Sequence, residues 1–145
     1  MGMFTALNSS ASALTAQRLK MDVTSSNIAN ADSTHGTLVN GKWEPYRRKM
    51  VVTSPNENSF NSLFQSAKGV GGVKVIGIVE DKTPFKTVYQ PDHPDADADG
   101  YVRLPNVDPL KEMVDLVSTT RSYEANVTAL NAAKGIYLKS LEIGR

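Results

Sequence analysis

The feature that most constrains this chain is a run of apolar residues at its start, spaced alternately three and four positions apart. Six of the eight positions in this run are apolar, and neither Gly nor Pro occurs between Phe4 and Asp32. Because spacings of three and four place side chains on one face of an α-helix, the pattern predicts a helix of about 27 residues. The run consists of Phe4, Leu7, Ala11, Leu14, Arg18, Met21, Ser25 and Ile28.

A second run of the same kind occupies the end of the chain. Asp108 is a favourable N-cap, Pro109 fits the first helical position, and Glu112 complements the helix dipole. Seven of the nine positions that follow at the alternating spacing are apolar or aromatic. The sequence therefore predicts a helix over residues 108–143 with the stripe Met113, Leu116, Thr120, Tyr123, Val127, Leu130, Lys134, Tyr137 and Leu141.

The length of the second helix argues against a compact monomer. At 1.5 Å per residue it would be about 54 Å long. A compact globule of 145 residues has a radius of gyration near ~15 Å and a diameter of roughly 40 Å. No apolar stretch approaches the roughly 18–20 residues that a membrane span needs. We therefore expect the two helices to form a coiled-coil-like pair that associates with other subunits.

The middle of the chain has a different composition. Six of the seven prolines and a cluster of three glycines fall between residues 37 and 106. Short β-type runs, which predict strands, occur at 46–53, 73–80, 84–89 and 101–104. Residues 54–72 are expected to form a mobile loop.

The predicted fold class is therefore α+β, with long N- and C-terminal helices around a small inserted β-rich domain. Three segments describe the organisation. These are an N-terminal helical segment 1–36, the β-rich insert 37–106 and a C-terminal helical segment 107–145.

Composition excludes several functional classes. Sixteen basic residues against fifteen acidic ones give a net charge of +1, which does not favour a nucleic-acid binder. The chain has no cysteine, so disulfides, thiolate catalysis and cysteine metal sites are excluded. The first residues lack the basic and apolar regions of a cleavable signal, so none is expected.

The most tempting site motif is the acidic run from Asp95 to Gly100, which matches the start of an EF-hand calcium loop. The twelfth position of such a loop would be Asn106 rather than a bidentate Glu, and the ninth would be Arg103. We expect an acidic turn leading into a strand, and no metal site.

No catalytic site or cofactor is expected from the remaining residues. The only two histidines, His35 and His93, lie in loop-type segments, where we expect solvated side chains rather than a metal ligand or a general base. Trp43, which lies near the basic residues at Arg47, is expected to belong to the core of the small domain. The sequence thus predicts a protein that is not an enzyme.

Two stretches of the chain resemble known sequence signatures. The first runs from Ser26 to Thr34 and is similar to the motif S-N-x-A-N-x-x-T at the end of the N-terminal helix of the bacterial flagellar axial proteins. The second combines residues 100–108 with residues 121–126 and resembles the C-terminal part of the small proximal-rod members of that family. The Gly-Gly-Val-Lys-Val run at 71–75 also fits those members. The matching motif positions are Ser26, Asn27, Ala29, Asn30, Thr34, Pro105, Asn106, Val107 and Asp108.

The resemblance implies a structural subunit of the flagellar basal body. Such proteins leave the cytoplasm through the flagellar type III export apparatus without a cleavable signal. They polymerise in the periplasmic space into a helical, hollow rod that transmits torque from the motor to the hook. The partners implied are other copies of the chain, other rod proteins, the export apparatus and the basal-body adaptor between the export gate and the rod.

The apolar stripes supply the expected contacts between subunits. These interface residues are Phe4, Leu7, Ala11, Leu14, Met21, Ile28, Met113, Leu116, Tyr123, Val127, Leu130, Tyr137 and Leu141.

Two other functions remain open at this point. The chain would also fit a coiled-coil adaptor whose β-rich insert binds a ligand, or calcium at Asp95 to Asp99. An enzyme with an unrecognised site is the third alternative.

Overall fold

The computed structural model describes residues 3–55 and 72–143, and side chains in the first helix from residue 7 onward. The first helix, α1, spans Met3–Ala29, and the last, α2, spans Pro109–Ile143. Both predicted helices are confirmed within a few residues. The α+β class is likewise confirmed, because short strands lie between the two helices.

Among the described residues, six strands lie between the two helices. Their bounds are β1 Thr37–Val39, β2 Lys42–Glu44, β3 Lys49–Pro55, β4 Val73–Glu80, β5 Lys86–Tyr89 and β6 Tyr101–Leu104. They form three two-stranded sheets, β1 with β2, β3 with β4, and β5 with β6. The predicted strands at 73–80 and 101–104 match β4 and β6, and those at 46–53 and 84–89 overlap β3 and β5. The predicted mobile loop at 54–72 lies almost wholly outside the described residues.

The β1–β2 hairpin was not predicted. It is antiparallel, with Val39 opposite Lys42, so Asn40 and Gly41 form its two-residue turn. Asn40 has φ of 51° and Gly41 has φ of 79°. Positive φ at both central residues is the requirement of a type I′ turn, which Asn-Gly satisfies better than most pairs.

The chain divides into two compact units, each built from several segments. One consists of residues 1–21, 51–77 and 117–145, and the other of residues 22–50 and 78–116. In the first unit Ala16 and Thr119 are buried, and the Thr120 hydroxyl donates to the Met21 sulfur at 3.6 Å. The three segments predicted from composition stay a prediction.

Of the side chains that the structure describes, most of the buried ones lie in the second unit. Val102 and Val107 are 0% and 1% exposed, and Val23 and Ala31 at the end of α1 are also buried. Polar residues are buried beside them, with Asn27 and Glu112 each 1% exposed. Among the described residues, every buried side-chain nitrogen or oxygen has a hydrogen-bond partner.

Within the described helices, no segment is both long and apolar enough to cross a membrane.

Candidate functional site

The side-chain amide of Asn27, near the end of α1, makes four hydrogen bonds within the second unit. Its Nδ2 donates to the Lys49 carbonyl at 2.8 Å and to Glu112 Oε2 at 3.0 Å. Its Oδ1 accepts from the Lys49 amide at 2.9 Å and from the Tyr46 hydroxyl at 3.0 Å. Two donors and two acceptor lone pairs are all that an asparagine side chain has, so Asn27 is fully satisfied. One side chain thus joins the end of α1 to the start of β3 and to the first turn of α2.

Arg48 connects the same first turn of α2 to the segment that follows β4. Its Nε lies 2.7 Å from Glu112 Oε1, and its two terminal nitrogens lie 3.6 Å from Asp81 and 3.8 Å from Asp115. The backbone of Arg48 is also engaged, since its carbonyl accepts from the Asp81 amide at 2.8 Å. We call Asn27, Arg48, Asp81, Asn106 and Glu112 the polar cluster.

The charges of the polar cluster stabilise one another. Burial by itself lowers the pKa of Arg48, but the hydrogen bond and charge of Glu112, with Asp81 and Asp115, outweigh burial and raise it above its ordinary value. Hydrogen bonds from the backbone and hydroxyl of Thr83, and then the charge of Arg48, lower the pKa of Asp81. Both residues are therefore held in their charged forms.

Asn106, which precedes α2, forms hydrogen bonds with Arg48 just before β3 and with the segment that follows β4. Its Oδ1 accepts from the Arg48 amide at 2.8 Å, and its Nδ2 donates to the Asp81 carbonyl at 3.2 Å and to the Thr83 hydroxyl at 2.9 Å. The next residue, Val107, is buried, and its carbonyl accepts from the Lys86 ammonium at 2.7 Å. Asparagine at this position therefore fixes where the chain enters α2.

The N-cap of α2 follows directly. The Asp108 carboxylate accepts from the Leu110 amide at 3.1 Å, which confirms the predicted cap. Glu112, assigned by sequence to the helix dipole alone, also pairs with Arg48 and Asn27.

The two sequence motifs are connected through Arg48 and Glu112, which belong to neither motif. Asn27 of the first motif contacts Glu112 directly, and Asn106 of the second contacts the backbone of Arg48. Asn30 closes the end of α1 by donating to the Ser26 carbonyl at 2.9 Å, and Thr34 donates to Asp95 at 2.7 Å. Pro105 is buried, whereas Ser26, Ala29 and Asp108 are exposed.

The predicted interface residues are only partly covered in the subunit. Ala11, Met113 and Leu141 are exposed. The side chain of Phe4 lies outside the described residues. The half-buried ones are Leu7, Leu14, Met21, Ile28, Leu116, Tyr123, Val127, Leu130 and Tyr137. Their contact with neighbouring subunits stays a prediction.

The acidic run forms a turn. The Asp97 amide donates to the Tyr101 carbonyl at 2.9 Å and the Gly100 amide donates to the Asp97 carbonyl at 2.8 Å. Asp95 accepts from Thr34 and lies 3.3 Å from the His35 ring nitrogen. Within the described part of the chain, no group of three or more His, Asp or Glu side chains is arranged to hold a metal ion.

Trp43 does not belong to the core, contrary to the sequence-based expectation. Its side chain is 57% exposed and stands edge-on to His35, with ring centroids 5.4 Å apart. It borders an open depression of about 550 Å³ that also includes Lys42, Asp95 and Arg103. The guanidinium group of Arg47, which is close to Trp43 in sequence, lies over the ring of Phe85, 4.2 Å from the ring centroid. The β1–β2 hairpin is too short to bury an indole against a second layer.

Sequence reasoning missed Arg48, Asp81 and Glu112 as members of one site. Gly36 was missed as well, although a side chain there would meet the Tyr46 backbone nitrogen at 2.5 Å. The available signal was weak, since these residues follow no shared periodicity. The polar cluster presents no nucleophile next to a base, and its side chains bond to one another and to Tyr46, Lys49 and Thr83. What it does chemically is hold five chain segments in one arrangement.

Comparison with known proteins places both ends of the chain in flagellar families. Residues 7–36 match the family described as flagella basal body rod protein. Residues 98–143 match the family described as flagellar basal body rod FlgEFG protein C-terminal. The first match contains Asn27 and the second contains Asn106 and Glu112, so both include residues of the polar cluster.

Individual relatives cover nearly the whole chain. The flagellar basal-body rod protein FlgC of Bacillus subtilis is 61% identical over 147 residues, which cover 98% of each chain. The FlgC proteins of Yersinia enterocolitica and Borreliella burgdorferi are 46% and 43% identical. Their alignments cover 92% of both chains for the former, and 99% of this chain and 98% of the relative for the latter.

Two long terminal helices, a small β-rich middle and these matches define a rod-type protein of the flagellar basal body. Among such proteins, the chain belongs to the FlgC family.

Proposed function

We propose that this chain is a structural, non-enzymatic subunit of the proximal rod, polymerising helically into the hollow shaft that carries torque from the motor to the hook. The observation that carries the proposal is its similarity, over 98% of its length, to a protein named as a flagellar basal-body rod protein. The partners are further copies and other rod proteins in the periplasmic space. The export apparatus and the adaptor between export gate and rod are partners on the way to assembly.

Exposed apolar side chains on α2 support this proposal. Leu110, Met113, Val114 and Val117 lie along one side of the first three turns and are 50–73% exposed. Ile136, Leu138, Leu141 and Ile143 extend the exposed apolar surface near the end of the same helix, at 52–85%. Apolar groups in such number remain in water only at a cost, so a helix of this kind favours burial against neighbouring subunits.

The coiled-coil-like pairing of α1 and α2 is part of the same proposal. Its support is the sequence stripe on each helix, together with the contact between Thr120 and Met21. In the assembled rod the predicted interface residues would pack against helices of neighbouring copies.

Motility in a Bacillus subtilis strain that lacks its own FlgC tests the proposal. Ala11→Asp and Met113→Asp each place a carboxylate on a predicted stripe at a position that is exposed in the single subunit. Burying an unpaired carboxylate costs about 2 kcal/mol or more at every subunit contact. Each variant should therefore fold normally, judged by circular dichroism, and yet fail to restore swimming.

Matched controls come from the opposite sides of the same helices. Lys20 lies two and a half turns from Ala11, and Lys111 lies about half a turn from Met113. Lys20→Asp and Lys111→Asp change a charge at exposed positions off the stripes, so both should restore swimming. Normal swimming of the stripe variants, with loss of swimming for Trp43→Ala, would contradict the proposal and favour an adaptor with a ligand-binding β insert.

A further inference from the structure

Strand β4 is nearly self-complementary about its glycine. Reading outward from Gly77, Ile76 matches Ile78 and Val75 matches Val79. The next pair is Lys74 and Glu80, which carry opposite charges. Suppose that two copies pair antiparallel with their Gly77 residues opposite each other. Each isoleucine would then face an isoleucine, each valine a valine, and each lysine a glutamate of the other copy.

The side chains that such a pairing would use are exposed in the subunit. Ile76 is 67% exposed and Ile78 is 48% exposed, although both are isoleucines of a strand interior. Lys74 and Glu80 are exposed too, and neither forms an ion pair with another described residue. Because alternate residues of a strand share one face, all four lie on the same side of β4.

The sheet to which β4 belongs is incomplete. It has only two strands, β3 and β4, in the described part of the chain. Two strands alone are marginally stable in water, and a long apolar edge strand invites pairing with another chain.

Gly77 points to the same conclusion. A glycine inside a strand usually marks a place where another backbone comes close. A β-carbon placed on Gly77 would meet no atom within 4 Å, so nothing within the described subunit requires glycine there.

We propose that β4 pairs antiparallel with β4 of a second copy of this chain, centred on the two Gly77 residues, to form a four-stranded sheet. Lys74 of each copy faces Glu80 of the other, and Ile76 of each faces Ile78 of the other. Seven residues on each side make a small interface, so the dimer is weak and concentration-dependent.

This pairing is distinct from the proposed rod contacts. A two-fold contact uses the same patch on both copies and closes on itself, whereas a polar helical tube needs contacts that repeat in one direction. The β4 pairing therefore belongs to free subunits, where it covers an aggregation-prone edge, and it opens before a subunit enters the rod.

A single introduced cysteine tests the register, since the natural chain has none. Directly opposite residues of antiparallel strands have α-carbons about 4.5–5.5 Å apart, within the range that a disulfide spans. Under mild oxidation, full-length Gly77→Cys should form a disulfide-linked dimer as its main product. Lys42→Cys, at an exposed position of the β1–β2 hairpin, should stay mostly monomeric. Equal cross-linking of both variants, or none of Gly77→Cys, would overturn the proposal.

Charge reversal tests the facing pairs in solution. Lys74→Glu or Glu80→Lys places like charges opposite each other twice per dimer, and each should weaken dimerisation at least tenfold in sedimentation equilibrium. The two variants mixed together should dimerise with each other, and the double variant Lys74→Glu/Glu80→Lys should regain the natural affinity. Lys42→Glu should have no effect. Single variants that dimerise like the natural chain, or a double variant that does not recover, would disprove the register.

The dimerisation experiments can fail or succeed independently of the swimming assay that tests the proposed function. Dimerisation that is lost in Ala11→Asp or Met113→Asp but kept in the β4 charge variants would locate the contact on the helices and refute the β4 pairing. Swimming in the complemented strain depends on the helix stripes and is read independently of the dimer.

Discussion

At the scale of single residues, the polar cluster specifies geometry more than it adds stability. A buried ion pair such as Arg48 with Glu112 gains little overall, because each charge loses its hydration on burial. Removing one partner is a different matter, since the other charge is then left without compensation. The Asn27 side chain acts similarly, because it occupies both the amide and the carbonyl of Lys49 as a neighbouring strand would.

Glu112→Gln should therefore be strongly destabilising for so small a change. Glutamine keeps an oxygen that can accept from Asn27, but it leaves the Arg48 guanidinium with only the longer contacts to Asp81 and Asp115. We expect a loss of about 3 kcal/mol in the free energy of unfolding, measured by urea denaturation.

Glu142→Gln is the matched control on the same helix. Glu142 also pairs with a basic residue, Lys139 at 3.0 Å, but the two side chains are 67% and 79% exposed. Its substitution should change stability by less than about 0.5 kcal/mol, as is usual for exposed pairs. Equal effects of the two substitutions would mean that burial of the polar cluster contributes nothing.

At the scale of elements, the sequence predicts what is periodic or locally encoded. The helical stripes and the alternating pattern of β4 located those elements within a few residues. The β1–β2 hairpin was missed because its strands have three residues each, too few for periodicity, although Asn40-Gly41 carries the turn signal. The polar cluster was beyond sequence reasoning because Asn27, Arg48 and Glu112 meet only through tertiary structure.

The start of α2 offers a prediction at this scale. Asp108 supplies the N-cap, and its carboxylate accepts from backbone amides that have no partner within the helix. Asp108→Ala should lower the free energy of unfolding by about 1 kcal/mol, whereas Asp108→Asn, which caps equally well, should leave it nearly unchanged. Urea denaturation compares the two, and an equal loss in both would show that the charge of Asp108, not its capping oxygen, matters.

At the scale of the whole molecule, burial is distributed unevenly along the chain. Among the described residues of α1, none before Ala16 is buried, and in α2 none after Thr119 is buried. The outer parts of both helices are thus helical with little apolar burial to stabilise them. Isolated helical segments without tertiary packing are marginal in water, so their order is expected to depend on contacts with other subunits.

Amide hydrogen exchange of the dilute full-length chain measures this dependence directly. Exchange from the outer segments 7–15 and 121–140 should be fast, because no side chain in either segment is fully buried. Residues 22–29 and 112–119 should be protected by the polar cluster and the buried side chains around it. The Glu112→Gln substitution should reduce protection at 22–29 as well as in α2, since Asn27 and Glu112 share a hydrogen bond. Strong protection of residues 7–15 and 121–140 in the monomer would show that the helices are stable without neighbours. In that case the exposed apolar side chains of α2 would be no guide to assembly.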